Sequence, residues 1–366
     1  VSERAGDEMK DPQLPSDEAH RNPARNFGMD LIRATAISFV LLAHTFNSLE
    51  MLGVAGVELF FVLSGFLVGG VIIRMLEKRQ KIDRNEIKNF LKRRFFRTLP
   101  NYYLFLFLYC ILDQTFLANT DQPLQKIATY SFFLQNLAWP NPQGFFSHSW
   151  SLCTEEWFYL LIILTLFLTL KCTGHSAGGR RIALCLTAFF FIAGPIALRF
   201  AYGSRFDDIR MIVVFRLDAI MYGYLIALAQ SFWPFIWNKY RWLLFFGLIL
   251  NATGLMIYGQ SSAADALALT LIPLGFAGLL PFFYRLRPTN TILDQMIERL
   301  SILSYSIYLC HILIYFGLQG PLGYSNFNTI EKLAYKMAAI LLIIVSSQLI
   351  YTFYEKPMTD LRDRFS

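Results

Sequence analysis

Apolar positions run in long stretches along this chain, and the polar positions between them come in short clusters. From Phe27 onward, runs of about 20 apolar residues recur, the length a helix needs to cross the hydrocarbon core of a bilayer. They fall at roughly 28–48, 54–76, 99–118, 152–170, 182–201, 211–230, 241–258, 264–284, 301–318 and 334–354. The pattern predicts an all-α polytopic membrane protein with about ten transmembrane helices in one bundle. An even number of crossings puts both termini on one side. Residues 1–26 are polar and read as a cytoplasmic tail, residues 27–356 as the ten-helix membrane domain, and residues 357–366 as a short cytoplasmic tail beyond a helix break at Pro357.

Charge sets the orientation. With the amino terminus in the cytoplasm, the inner segments carry 25 Lys and Arg and the outer segments 6, while Arg33 and Arg216 lie within spans. Such a bias is what the positive-inside rule demands. Composition agrees: of 366 residues, 55% are hydrophobic and 16% aromatic, and mean hydropathy is +0.42. A net charge of +7 could suggest a nucleic-acid partner. Its concentration in the inner segments assigns it to topology instead, and no nucleic acid is expected. The five cysteines have no paired spacing, so neither a disulfide framework nor a zinc site is predicted.

Polar groups inside the spans are the candidates for chemistry, because an ionisable side chain at membrane depth is costly unless it faces protein or a wet cavity. Arg33 and His44 lie eleven positions apart in the first span, on one helix face and about 16 Å apart along the axis. They fit the lining of a tunnel or a structural pair between helices. Arg216 and Asp218 fit either an ion pair or separate inward partners. His311 lies near mid-depth of its span and fits a site or a helix-packing group. Glu155 and Glu156 stand just inside the entrance of the fourth span. Neighbours on a helix diverge by 100°, so one is expected to point inward and the other toward the headgroups, with Ser151 or Thr154 as the helix cap.

The first inner segment carries ten basic residues from Arg74 to Arg97, more than topology requires, interleaved with Phe90, Leu91, Phe95 and Phe96. That pattern suits a helix on the inner membrane surface, where it serves either anionic lipid headgroups or a phosphorylated cytosolic ligand held by Arg93, Arg94 and Arg97.

Taken together, these segments resemble the acyltransferase-3 family of integral membrane O-acyltransferases. Arg33 followed by ten residues and His44 is its Arg-x10-His signature. Gly56-Val-Glu-Leu-Phe-Phe-Val-Leu-Ser-Gly-Phe66 is similar to its G-V-D/E-L-F-F-V-L-S-G-F segment. Leu91-Lys-Arg-Arg-Phe-Phe-Arg97, followed by Pro100 and Tyr102, resembles its R-R-x-x-R-x-x-P loop. His148-Ser-Trp-Ser-Leu-Cys-Thr-Glu155 resembles its H-x-W-S-L-x-x-E element, and Ser304 to His311 and Glu355-Lys-Pro357 complete the series. Trp157 and Cys310 depart from it, standing where members often carry Gln and an aromatic residue.

The resemblance implies transfer of an acyl group, acetyl by default, from cytosolic acetyl-CoA or another acyl-CoA to a hydroxyl of an extracytoplasmic glycan or lipid-linked glycan, such as O-antigen or another exported polysaccharide. His44 is expected as general base, since its unperturbed pKa lies near neutrality. Glu155 and Arg33 join it as catalytic candidates, with Glu155 and His148 at the outer mouth beside His44. Arg33, Arg93, Arg94 and Arg97 are assigned to the acyl-CoA. Glu58, His148, Trp150, Arg216, Asp218 and His311 are the candidates for contacting the acceptor, and Ser64 is a weaker one. No metal is expected. Membrane lipids are the remaining partners, and a bacterial inner membrane is the expected location. The rival reading is a proton-coupled secondary transporter or flippase using the same intramembrane groups. The sequence shows no internal repeat to favour it. No hydrolase-like domain follows the tenth span in this sequence, so direct hand-over to the acceptor is expected.

Overall fold

The computed structural model describes residues 25–78, 84–112, 123–140, 145–205 and 208–364. The polar tail expected over residues 1–26 lies outside this set except for its last two residues. Among the described residues thirteen α-helices follow in order: α1 (Phe27–Thr45), α2 (Glu50–Lys78), α3 (Arg84–Leu112), α4 (Pro123–Ser131), α5 (Trp150–Thr173), α6 (Ala177–Tyr202), α7 (Leu217–Phe232), α8 (Pro234–Trp237), α9 (Tyr240–Ile257), α10 (Ser262–Phe283), α11 (Ile292–Gly317), α12 (Thr329–Ile350) and α13 (Lys356–Arg364). Among the described residues nine helices are long and apolar enough to cross a membrane. The chain is therefore an all-α, multi-pass membrane protein, as the run pattern predicts.

The helix starts are set by local chemistry. Asn26 caps α1 by accepting from the Met29 amide, and its Nδ2 donates to the Tyr284 carbonyl, tying the first helix to the end of α10. Thr291 with Asp294 and Asn328 with Glu331 form reciprocal capping boxes at α11 and α12.

Three expectations need correction. The predicted span at 211–230 is the 16-residue α7, about 24 Å long and short of a ~30 Å core. Two 3-10 turns, Ile209–Met211 and Val213–Phe215, precede it. Ile209, Ile212, Val213 and Phe215 of this non-helical stretch are buried, where backbone polar groups need partners, and partners are present. The amides of Val213 and Val214 donate to the carbonyls of Asn136 and Leu137, and the Asn136 side chain donates to the Met211 carbonyl. Arg199, expected in an outer loop, is buried and donates to the Phe215 carbonyl just before α7 begins.

The basic segment and the third span, read as a surface helix followed by a crossing, form the single helix α3. Pro100 lies within it; the stretch is read as two pieces from sequence because its polarity changes where its backbone does not. Finally, Pro357 does not end the helical path. A π turn over Tyr351–Glu355 leads into α13, and the proline stands in the first turn of that segment, where a missing N–H costs little.

Close packing of α2 on α7 places the centre of the bundle. A Cβ added at Gly65 would lie 1.7 Å from the Ile220 carbonyl oxygen, and one at Gly223 would lie 1.8 Å from that of Val62. Only glycine permits this approach. It brings the polar end of α7 against Glu58 on α2, beside the cavities described next.

Candidate active site

Three cavities in the bundle neighbour one another through shared lining residues. The first, of about 610 Å3, is lined by His44 from α1, His148 and Trp150 from the start of α5, Arg210 from the turn before α7, and Tyr308 from α11. The second, about 90 Å3, is lined by Arg33, Ser64, Arg94, Arg97, Glu155, Tyr159 and Tyr308. The third, about 920 Å3, has Arg25, Arg33, Arg74, Arg97 and Lys356 among its walls, with Asp30, Glu355 and Asp360 as the acidic side chains. Val57 and Tyr308 line both the first and second, and Arg33, Leu67 and Arg97 line both the second and third. Arg33 and His44, placed on one helix face by their spacing, thus open into different chambers of one series.

Two imidazoles, His44 and His148, line the first chamber, and a third, His311, packs against both but is buried and lines none of the three cavities, so it is not placed to contact an acceptor. The His311 ring centre lies 4.9 Å from that of His44 and 5.4 Å from that of His148. Each ring has one nitrogen on a backbone carbonyl: His44 Nδ1 on Val40 at 2.9 Å, His148 Nε2 on Leu309 at 3.2 Å and His311 Nδ1 on Tyr308 at 2.7 Å. A carbonyl only accepts, so in a neutral ring the proton sits on that nitrogen and the other keeps its lone pair. The basic atom of His44 is therefore Nε2. The bare nitrogens of His148 and His311 are buried without a hydrogen-bond partner among the described residues. No group of three or more His, Cys, Asp or Glu among the described residues has an arrangement that could hold a metal ion.

His148 is held by its surroundings. Phe146, in the left-handed region at φ 43°, turns the chain into α5 and sets its ring edge-on to the imidazole at 5.1 Å. The Tyr308 hydroxyl donates to the His148 carbonyl at 2.8 Å and meets Ser151 Oγ at 2.6 Å. Ser151 is thus engaged across the bundle and does not cap α5. Thr154 does not cap it either; its hydroxyl donates to the Trp150 carbonyl.

Glu155 departs from its expected place. It lines the second chamber with three arginines and not the first with His44 and His148. The reason is helical pitch: seven residues separate His148 from Glu155, so the carboxylate lies about two turns deeper. Glu155 accepts from the Tyr159 hydroxyl at 2.8 Å, and the Arg94 guanidinium stacks over that ring at 5.3 Å. Glu156 also turns inward, against the expectation of a headgroup-facing carboxylate. It is buried and accepts from Thr98 at 2.6 Å. Arg33 donates to Ser301 Oγ at 3.3 Å and lies 3.6 Å from Asp30, which also binds Arg25. Arg93 is exposed and lines none of the three cavities, so only Arg94 and Arg97 of the expected trio converge.

Glu58, Arg216 and Asp218 line none of the three cavities either. Of the two readings open from sequence, the structure has separate partners. Arg216 pairs with Glu58 and donates to the Leu269 carbonyl, and Asp218 takes both Nη atoms of Arg199 at 2.9 and 2.7 Å. All three are fully buried. Burial against protein partners argues for a role in holding α2, α6, α7 and α10 together, not for contact with an acceptor. Trp150 does line the first chamber, yet it is only 4% exposed, with Phe61 edge-on at 5.8 Å and the Arg210 guanidinium over the ring at 5.1 Å. Its face is not free for a sugar. Tyr159 and Tyr308 fall in or beside the motifs that carry the resemblance but were given no role from sequence, and Arg25, Arg74 and Arg210 were not singled out as site residues, since arginines at span ends carry no signal of their own.

The chain is thus a multi-pass helical protein in which a chamber rich in arginine and a chamber lined by His44 and His148 flank a smaller one. The chain belongs to the acyltransferase-3 family, whose model, described as an acyltransferase domain, matches residues 26–352. The resemblance read from the motifs is borne out. Among curated proteins it is 28% identical over 222 residues to the peptidoglycan O-acetyltransferase OatA of Listeria monocytogenes, covering 57% of this chain and 34% of that protein. It is 32% identical over 152 residues to the O-acetyltransferase OatA of Staphylococcus aureus, covering 38% of this chain and 24% of that protein. The chain thus spans about a third or less of the length of these relatives. No solved structure matches it.

Proposed function

We propose that this protein is a membrane O-acetyltransferase. It takes the acetyl group from cytosolic acetyl-CoA and passes it through the neighbouring cavities to a hydroxyl of an extracytoplasmic glycan, in a bacterial inner membrane with both termini in the cytoplasm. The observation that carries this reading is the adjacency of the three cavities, which share lining residues in series. The third has five cationic and three acidic lining residues, which suits the phosphates of acyl-CoA. The second is narrow and suits the pantetheine arm. The first presents His44, with Nε2 as its basic atom. The relatives named above carry a peptidoglycan acceptor in one name, so a cell-wall glycan is the first acceptor to try, ahead of O-antigen.

In this scheme Arg33, Arg94 and Arg97 contact the donor, and Glu155 offsets their charge where the arm passes. His44 Nε2 takes the proton from the acceptor hydroxyl as oxygen attacks the thioester carbon. The tetrahedral adduct then collapses, the C–S bond breaks, and the thiolate of CoA takes that proton back from His44. Hydroxyl and acetyl-CoA become ester and free CoA. Arg33, about 16 Å from His44 along the helix, serves donor binding and not the reacting carbonyl.

The test uses the full chain in nanodiscs with radiolabelled acetyl-CoA and an extract of cell-wall glycan. Label is expected in the glycan with the parent. His44→Ala is expected to reduce transfer to background while acetyl-CoA still binds. Transfer that survives His44→Ala removes the histidine from the chemistry. Absence of both binding and turnover of acetyl-CoA with a competent extract overturns the acyltransferase reading and returns the transporter.

A further inference from the structure

The three-chamber scheme leaves one requirement of the reaction unassigned. When the acceptor oxygen adds to the thioester carbon, the carbonyl π pair moves onto oxygen, and that oxyanion needs positive charge or donors in place beforehand. The arginines identified from sequence are elsewhere. Arg33, Arg94 and Arg97 line the second chamber, while Arg199 and Arg216 are buried against Asp218 and Glu58. His148 offers the His44 chamber only a bare nitrogen in its neutral form, because its N–H is held by the Leu309 carbonyl, and His311 does not line that chamber.

Arg210 is the single Lys or Arg among the described residues that line the His44 chamber. Its guanidinium makes no hydrogen bond to another described residue, and its buried Nε has no hydrogen-bond partner among them. A charge contact of 3.8 Å to Asp208 is the one ion pair it makes there, too long for a hydrogen bond. The group is nevertheless held in place. Its side chain is 16% exposed, and the guanidinium lies over the Trp150 ring at 5.1 Å. Its turn is fastened to the segment before α5 by Asn136, whose side chain donates to the Met211 carbonyl and whose own carbonyl accepts from Val213. A fixed, largely buried guanidinium with no hydrogen bond to another described residue, in the chamber of the proposed base, is what electrostatic preorganisation calls for.

A permanent anion on the acceptor is the competing use for this cation. The same chamber is also lined by Glu50, Asp208 and Asp265, three carboxylates against one guanidinium. Such a wall repels an anionic acceptor and favours one that brings hydroxyls. The negative charge left for Arg210 is the one that exists only during transfer.

We propose that Arg210 stabilises the tetrahedral oxyanion of acyl transfer, with Trp150 positioning its guanidinium. The inference rests on the acyltransferase reading above. It is tested with Arg210→Met, Arg210→Lys and Trp150→Phe in nanodiscs, using radiolabelled acetyl-CoA and the cell-wall glycan extract. The folded fraction is counted by acetyl-CoA binding. Arg210→Met is expected to lower kcat per binding-competent molecule about 100- to 1,000-fold, the loss typical of removing one oxyanion donor, with KM for donor and glycan unchanged. Arg210→Lys, which keeps the charge without the planar fork, is expected to recover part of that rate, and Trp150→Phe to lose less than Arg210→Met. A raised glycan KM with kcat intact would make Arg210 an acceptor-binding residue and overturn the proposal. Unchanged kinetics with a lower unfolding temperature would reduce it to packing on Trp150 and overturn it equally. If Arg210→Met fails to fold, Arg210→Lys decides, since kcat equal to the parent's would overturn a role for the fork. A parent that binds no acetyl-CoA and labels no glycan would instead bring down the acyltransferase reading, and this inference with it.

Discussion

Replacing Glu58 by Gln separates a structural from a functional use of the most deeply buried charges in the bundle. Glu58 on α2 and Arg216 at the start of α7 are both fully buried and pair with each other, while Arg216 also donates to the Leu269 carbonyl of α10. The substitution leaves a guanidinium with no compensating charge, since the nearby Asp218 is taken up by Arg199. Glu58 Oε2 and Arg216 Nε already lack hydrogen-bond partners among the described residues, so the site has little slack. Removing one member of a buried pair costs about 3–5 kcal/mol, whereas replacing both by apolar residues of similar volume is often neutral or stabilising. Glu58→Gln is therefore expected to lower the unfolding temperature in detergent sharply, and the double variant Glu58→Met with Arg216→Met to restore most of it. Glycan labelling by the double variant should survive, because neither residue lines a cavity. A single variant as stable as the parent would refute the burial argument. A double variant that folds and binds acetyl-CoA but transfers nothing would refute the structural assignment and return the pair to the acceptor.

Two further outcomes follow from the same geometry. Arg97→Ala, at the junction of the second and third chambers, is expected to raise KM for acetyl-CoA about 10- to 100-fold, since a hydrogen bond to a charged group contributes ~1.5–3 kcal/mol. Equilibrium binding of the labelled donor checks it, and the parent's affinity should fall with salt more steeply than the variant's. Gly223→Ala places a methyl 1.8 Å from the Val62 carbonyl oxygen and must force α7 away from α2. A loss of at least the ~1–3 kcal/mol typical of overpacking is expected in an unfolding titration.

The class of fold was legible because its signal is local. Each crossing is written in about 20 consecutive residues, and no partner is needed to read it. The failures lie where backbone conformation depends on distant groups. The Ile209–Phe215 turns at bundle depth are possible because Asn136, Leu137 and Arg199 supply hydrogen bonds, and nothing within 209–215 announces that. Pro357 reads as a stop because the π turn before it leaves no trace in composition.

The site was legible one helix at a time. The Arg33–His44 spacing gave a face, and the face does line the cavities. The step from face to chamber needed contacts between α1, α5 and α11: His44, His148 and His311 are 104 and 163 positions apart in the chain, and spacing within a helix says nothing about rings that meet across three. Arg210 shows the same limit from the other side. From sequence it is one of six outer basic residues, indistinguishable from Arg205, whose guanidinium lies over the Tyr202 ring at 5.0 Å and which lines none of the cavities described. What sets it apart is physical: a Trp face beneath it, no hydrogen bond to another described residue, and His44 in the same chamber. A guanidinium held dehydrated without hydrogen bonds is unfavourable in the resting protein. In the proposed transfer the tetrahedral anion would remove that cost at the moment it forms, so the interaction would lower the barrier and leave the ground state alone.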